Sequence, residues 1–157
     1  MGDRANIGFL STNRTDCTWL YVHSAGSMLP EIALEAVEAA KPRWGDPSYA
    51  TRMALTATIG GIPLTQSTGA GVDVLPGENE HPALVIDWRD HLLYVLRAET
   101  ADAWHEMEPR ERAAAISSSI AIRFQSLTRN RIAHMMRRQG DASIPEFVEP
   151  STEGGAA

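Results

Sequence analysis

The sequence predicts an α+β domain: an antiparallel sheet of two hairpins plus a short strand, helices packed on it, and a long helix near the C-terminus. Apolar runs of strand length occur in two pairs, each pair joined by a short polar turn. Between and after them lie stretches whose apolar residues recur at helical spacing. A composition of 43% hydrophobic and 22% charged residues over 157 positions is that of an ordinary globule, long enough to bury about 70% of its unfolded surface without staples. One domain is expected over residues 1–140. Residues 141–157, rich in Pro, Gly, Ser and Glu, read as a disordered acidic tail with one docking segment, Ile144-Pro145-Glu146-Phe147-Val148.

Residues 4–11 and 17–23 read as the first two strands, separated by the turn cluster Thr12-Asn13-Arg14-Thr15-Asp16. Period two places Leu20 and Val22 on one face of the second strand, and Cys17, Trp19, Tyr21 and His23 on the other. Ser27 near the cap, Pro30 in the first turn and Glu31 at the positive end of the dipole open a helix that runs to about Lys41. Ile32, Ala33, Ala36, Val37 and Ala40 would face the core, leaving Glu31, Glu35 and Glu38 as an acidic outer stripe. Asp46 and Pro47 start a second helix that Gly60-Gly61 ends, with Ala50, Met53, Ala54 and Ala57 turned inward. Residues 69–75 form a short strand before the Pro76-Gly77 turn. Residues 83–88 and 91–97, joined by Arg89-Asp90, make the second hairpin. Leu84-Val85-Ile86 and Leu92-Leu93-Tyr94-Val95-Leu96 are apolar on both faces, so the sheet must be covered above and below.

The candidate cover is 109–139, where Ile116, Ile120, Phe124, Leu127, Ile132, Met135 and Met136 follow a helical stripe that Gly140 stops. A continuous helix here would reach roughly 45 Å, longer than a compact domain of this size is wide. Either it breaks near Ser117-Ser118-Ser119, or it projects and packs on a second copy as a homodimer. Residues 1–112 hold nine basic and sixteen acidic side chains, 113–139 hold five arginines and no acid, and 140–157 hold four acids and no base. Arg123, Arg129, Arg131, Arg137 and Arg138, with His134, therefore share one predicted helix. Neutralising phosphates would make it a nucleic-acid surface with steep salt dependence. The alternative, favoured by the net charge of -6, pairs these arginines with Glu31, Glu35 and Glu38 or with the acidic tail.

No apolar run approaches the eighteen residues of a membrane span and the N-terminus has no apolar leader core, so a cytoplasmic protein without membrane contact is expected. A lone cysteine, Cys17, excludes an internal disulfide and a cysteine-rich zinc site. Gly69-Ala70-Gly71 lacks the third glycine of a dinucleotide fingerprint, no phosphate-binding loop or nucleophile elbow occurs, and His105-Glu106 has no second histidine four residues on. No metal and no cofactor is expected. His23 ends a strand on the face of Trp19 and Tyr21, near Arg4 and Asn6 of the adjoining strand. As an enzyme, the chain would use it as general base with Glu80 or Asp87, in a small hydrolase or nucleotide-processing reaction. The alternative is a strand-end histidine bonded to a backbone carbonyl. Glu78-Asn79-Glu80-His81 reads either as ligands for a hard cation or as a solvated turn. Asp87 is either an acid of shifted titration or a residue whose side face reaches water.

Five segments in order, MGDRANI, Leu20-Tyr21-Val22-His23, Arg43-Trp44-Gly45-Asp46-Pro47-Ser48-Tyr49, Thr68-Gly69-Ala70-Gly71-Val72 and Glu78-Asn79-Glu80-His81-Pro82-Ala83-Leu84-Val85-Ile86-Asp87, cover about the first ninety residues. Together they resemble the pattern of a small uncharacterised family of bacterial, notably actinobacterial, and phage proteins. The family pattern has threonine before the histidine and tryptophan after it, where this chain has Val22 and Ser24. The resemblance implies a shared fold and a phage-like setting, brings no reaction with it, and stops short of the arginine-rich stretch and the tail. The resulting expectation is a non-enzymatic intracellular binding protein, phage-encoded, that occupies a host protein or sequesters a small anionic ligand. Its contacts would be Arg4, Trp19, Tyr21, His23, Arg52 and Glu80, since aromatic and arginine anchors dominate interfaces.

Overall fold

The computed structural model describes residues 3–60 and 69–144. Gly61 of the expected helix stop, Thr68, and the tail from 145 onward lie outside the described residues. The first hairpin is β1 (Ala5–Leu10) and β2 (Cys17–Val22), followed by α1 (Leu29–Ala39) and α2 (Pro47–Gly60). Next come β3 (Ala70–Asp73) and the second hairpin, β4 (Ala83–Asp87) with β5 (Leu92–Leu96). The chain continues through α3 (Ala98–Asp102), α4 (Pro109–Ser117), β6 (Ile120–Arg123) and α5 (Arg129–Arg138). The class is α+β, as the sequence predicts.

The sheet has the order β3-β2-β1-β4-β5-β6 and is mixed rather than antiparallel. Both expected hairpins form, with Leu10 opposite Cys17 and Asp87 opposite Leu92 at their turns, but β1 runs parallel to β4, with Ile7 opposite Leu84 and Phe9 opposite Ile86. The helices lead the chain into β3, which pairs antiparallel with β2, and the segment 74–82 then crosses back past Asn6 and Arg4 to the end where β1 begins, so β4 enters parallel to β1.

The expected long helix over 109–139 is instead helix, strand and helix. Ser117, Ser118 and Ser119 turn their hydroxyls back onto the Ala114 and Ala115 carbonyls, at 3.2, 3.2 and 2.7 Å, where α4 ends. Hydroxyls that satisfy the last carbonyls favour termination over propagation. Ile120 and Ile122, which also fit period two, then add β6 to the edge of β5. Thr128 restarts helical structure by accepting the Arg131 amide at 3.1 Å. With no projecting helix, the homodimer loses the feature that predicted it; α5 packs on α1 of its own chain. α1 also differs in detail, since Met28 rather than Ser27 holds its cap position, and Thr58 rather than Ala57 is buried at the end of α2.

Both sheet faces are covered from within the chain. Ala5, Ile7, Phe9, Leu20, Val22, Leu84, Ile86, Leu93 and Val95 meet α1, α2 and α5 on one side. On the other, Leu10, Cys17, Trp19, Ala83, Val85, Tyr94 and Leu96 meet Ala101, Trp104 and Ile116. Burial pushes the Cys17 thiol up, so it stays protonated in its core position. Trp19 lies under Trp104 in an edge-on contact, ring centroids 5.4 Å apart, and its ring fills the space above Gly8, where a Cβ would come within 2.8 Å. Gly8→Ala should therefore destabilise the protein by about 1–3 kcal/mol, read as a lower urea midpoint at unchanged slope.

Candidate functional site

Asn6 is a polar side chain inside a wholly buried strand, and burial of an amide demands partners. It finds them in the loop after β3: its Nδ2 donates to the Gly77 carbonyl at 3.1 Å and to Asn79 Oδ1 at 2.8 Å, and its Oδ1 accepts the Gly77 amide at 2.9 Å. This draws Gly77 so close over Tyr21 that a Cβ there would sit 2.6 Å from the ring. A cleft of about 460 Å³ results, lined by Trp19, Tyr21, Val72, Asp73, Leu75, Pro76 and the two glycines Gly71 and Gly77. Next to it, the Tyr21 hydroxyl lies 3.2 Å from His23 Nδ1. Arg4 pairs with Glu78 at the rim, and Asp73 and Glu80 are exposed nearby in the fold.

Along the outer side of this cleft runs β3, an edge strand exposed at all four positions. Val72, Val74 and Leu75 are 50%, 69% and 40% exposed, three of the five large exposed apolar side chains among the described residues. All three lie within four positions at the end of β3 and just beyond it, and Val72 and Leu75 also line the cleft.

The expected contact residues are only partly brought together. Tyr21, His23, Arg4 and Glu80 converge on this end of the sheet, with the Glu80 amide donating to the Arg4 carbonyl at 2.9 Å. Trp19 is completely buried, so it supports the cleft from beneath and presents little to a partner. Arg52 lies on α2, over the opposite face, and joins nothing at this site. Asp87 sits six residue levels from His23 along the β1 register, about 20 Å at 3.3 Å per residue. It is buried and paired with Arg14 at 2.8 Å, so it cannot serve His23 as an acid–base partner.

The arginines also separate. Arg123 lies on β6, not on a helix. Arg129 pairs with Glu31 at 2.5 Å, joining α5 to the acidic stripe of α1. Arg131 donates to the Ser126 carbonyl at 3.2 Å, and Arg137 and Arg138 fall in the last turn of α5, where the helix dipole favours cations.

The arrangement that sequence reasoning missed is centred on His81, a buried imidazole read there either as one of a set of hard-cation ligands or as part of a solvated turn. Its Nε2 faces Asp3 and its Nδ1 faces Asp141 Oδ2 at 2.6 Å. With a carboxylate at each nitrogen, both must donate, and only the imidazolium can do so. The bond to Asp141, with that to Asp3 and against the opposing effect of burial, pushes its titration up to about 9. Burial acts to raise both carboxyls, but His81 and amide or hydroxyl donors from Ser27 and Ser143 outweigh it and hold Asp3 and Asp141 below the usual carboxylate range. The clamp ties the β1 approach, the turn before α1, the approach to β4 and the end of α5. It draws Asp141 into the interior, while Ile144 packs in the main core, so the fold extends into the stretch read as the start of the tail. No signal in the sequence joins positions 3, 81 and 141. Among the described residues no group of three or more His, Cys, Asp or Glu is arranged to hold a metal ion, and no helix is long and apolar enough to cross a membrane.

Comparison with known protein families, curated proteins and solved structures gives no match to this chain.

The clamp sets a pH dependence. Because the folded His81 titrates near 9 and an unfolded histidine near 6.5, its stabilisation is complete below about pH 6.5 and is lost as pH rises toward 9. Denaturation of the native protein should show this alkaline loss. His81→Gln should start less stable at pH 6 and show a flatter profile between pH 6.5 and 9.

Proposed function

We propose that the protein is a non-enzymatic binding module that takes an extended segment of a partner protein along the outer edge of β3. The exposed apolar side chains Val72, Val74 and Leu75, on and just past a sheet edge that has no further strand among the described residues, carry this reading. Contiguous exposed apolar area marks interaction surfaces, and a free edge offers backbone donors and acceptors to an incoming strand. Charge at the site supports a basic partner segment over the small anionic ligand: Asp73, Glu78 and Glu80 outnumber Arg4, which already pairs with Glu78. A phage-encoded protein that occupies a host factor in the host cytoplasm fits this chemistry.

The enzyme alternative needs a carboxylate partner for His23. Among the described residues its hydrogen-bonded side-chain partner is Tyr21; Glu80, at the same end of the sheet, is exposed, and Asp87 lies at the far end. The nucleic-acid alternative needs the arginines as an array, and these are divided between β6, the pair with Glu31 and the ends of α5.

Selection from a displayed random-peptide library tests the proposal. Peptides alternating apolar and basic residues should be enriched on the native protein. The double change Val74→Lys, Leu75→Lys should weaken their binding at least tenfold at unchanged melting temperature. Enrichment of acidic peptides, or binding indifferent to that change, would overturn it.

A further inference from the structure

The opposite end of the sheet, near the β1–β2 turn, holds a second opening that neither the β3 edge nor the His81 clamp uses. It is a cleft of about 450 Å³ between that turn, β5 and α4, within the size range of small-molecule sites. Leu10 and Tyr94 contribute from the sheet, and Ala113, Ala114 and Ile116 from α4. Two successive alanines on the helix leave the space that larger side chains would fill.

Arg14 stands at the opening in an unusual backbone state. Its φ of 64° lies in the left-handed region, where asparagine or glycine is the ordinary choice. An arginine held there points to a requirement for its side chain. One guanidinium nitrogen, Nη2, donates to Asp87 at 2.8 Å and to Asp90 at 2.7 Å. Asp87 is buried and also accepts the Arg89 and Asp90 amides, at 3.0 and 3.1 Å, so it is firmly seated and fixes the arginine in turn. Nε and Nη1 of Arg14 have no acceptor among the described residues, and the Tyr94 hydroxyl likewise has no hydrogen-bond partner there. Burial, with Asp87 nearby, raises the Tyr94 titration, so its hydroxyl stays a donor through the neutral range.

The cleft thus offers unused donors above an apolar floor. Arg14, Asp87 and Asp90 together carry a net negative charge, which disfavours a carboxylate or phosphate, while a cation would compete with Arg14 for its two acids. A neutral oxygen acceptor meets neither obstacle. We infer that this cleft binds a small neutral carbonyl compound, its oxygen accepting from Arg14 and Tyr94 and its apolar body lying on Leu10, Ala113 and Ile116.

Benzamide is a suitable probe, with benzoate and benzamidine as charged molecules of the same shape, each titrated against the full ¹⁵N-labelled chain. Benzamide should give saturable amide shifts at Arg14, Tyr94, Ala113 and Ala114, and the two charged analogues should bind at least tenfold more weakly. Tyr94→Phe, which removes one donor, should weaken benzamide about tenfold, and Ala114→Leu, which fills the space from an exposed helix position, should abolish its binding. The same spectra report whether each variant is folded. An absent benzamide response in the native protein, benzoate binding as tightly, or a response unchanged in both folded variants would overturn the inference. The β3 variants described above should leave benzamide binding intact, which separates this site from the proposed partner edge.

Discussion

Burial of the central strands on both faces is the constraint from which the architecture follows. Every residue of β1 and β4 is buried, so neither face of the sheet can be left to water without exposing a continuous apolar surface. The chain meets this with two unequal covers: α1, α2 and α5 over one face, and α3, α4 and the Trp104 turn over the other. Because alternate residues feed the two cores, a one-residue slip of β1 against β4 would exchange their contents, and the register is fixed accordingly. Nothing is left over for a sister molecule to cover on these central strands.

Polar residues then decide where the loops go. Asn6 holds the Gly77–Asn79 loop over Tyr21, Arg14 joins two turns through Asp87 and Asp90, and His81 ties both ends of the described chain to the sheet. Each is a buried or half-buried group that finds several partners at once, as the low dielectric of the interior demands. The distinction between saturated and unsaturated groups separates scaffold from surface: His81 has a carboxylate on each side and no capacity to spare, whereas among the described residues the β3 edge and the Arg14–Tyr94 opening retain theirs.

The readable parts of the fold were those specified by short-range pattern. Both hairpins, the two helices between them and the two-sided sheet follow from period two, helical spacing and turn residues within windows of a dozen positions. β6 was hidden because Ile116, Ile120 and Phe124 fit helical spacing while Ile120 and Ile122 also fit strand alternation, and short apolar runs satisfy both periods. The serines that end α4 marked the break without saying what followed it. Of the candidate site, the shared face of Tyr21 and His23 was legible from strand alternation. The burial of Trp19 was not, because its cover, Trp104, is supplied eighty-five positions later.

The sequence by itself therefore determined the α+β class, the two hairpins and the demand for two covers, since these depend on neighbours along the chain. Only the tertiary structure decided the parallel union of the hairpins, the identity of the covering segments, the charged state of His81 and the donors left unused around Arg14 and Tyr94. Those depend on groups separated by up to 138 positions, and the energy of a buried charge or hydrogen bond is set by what surrounds it in space, which no local pattern encodes.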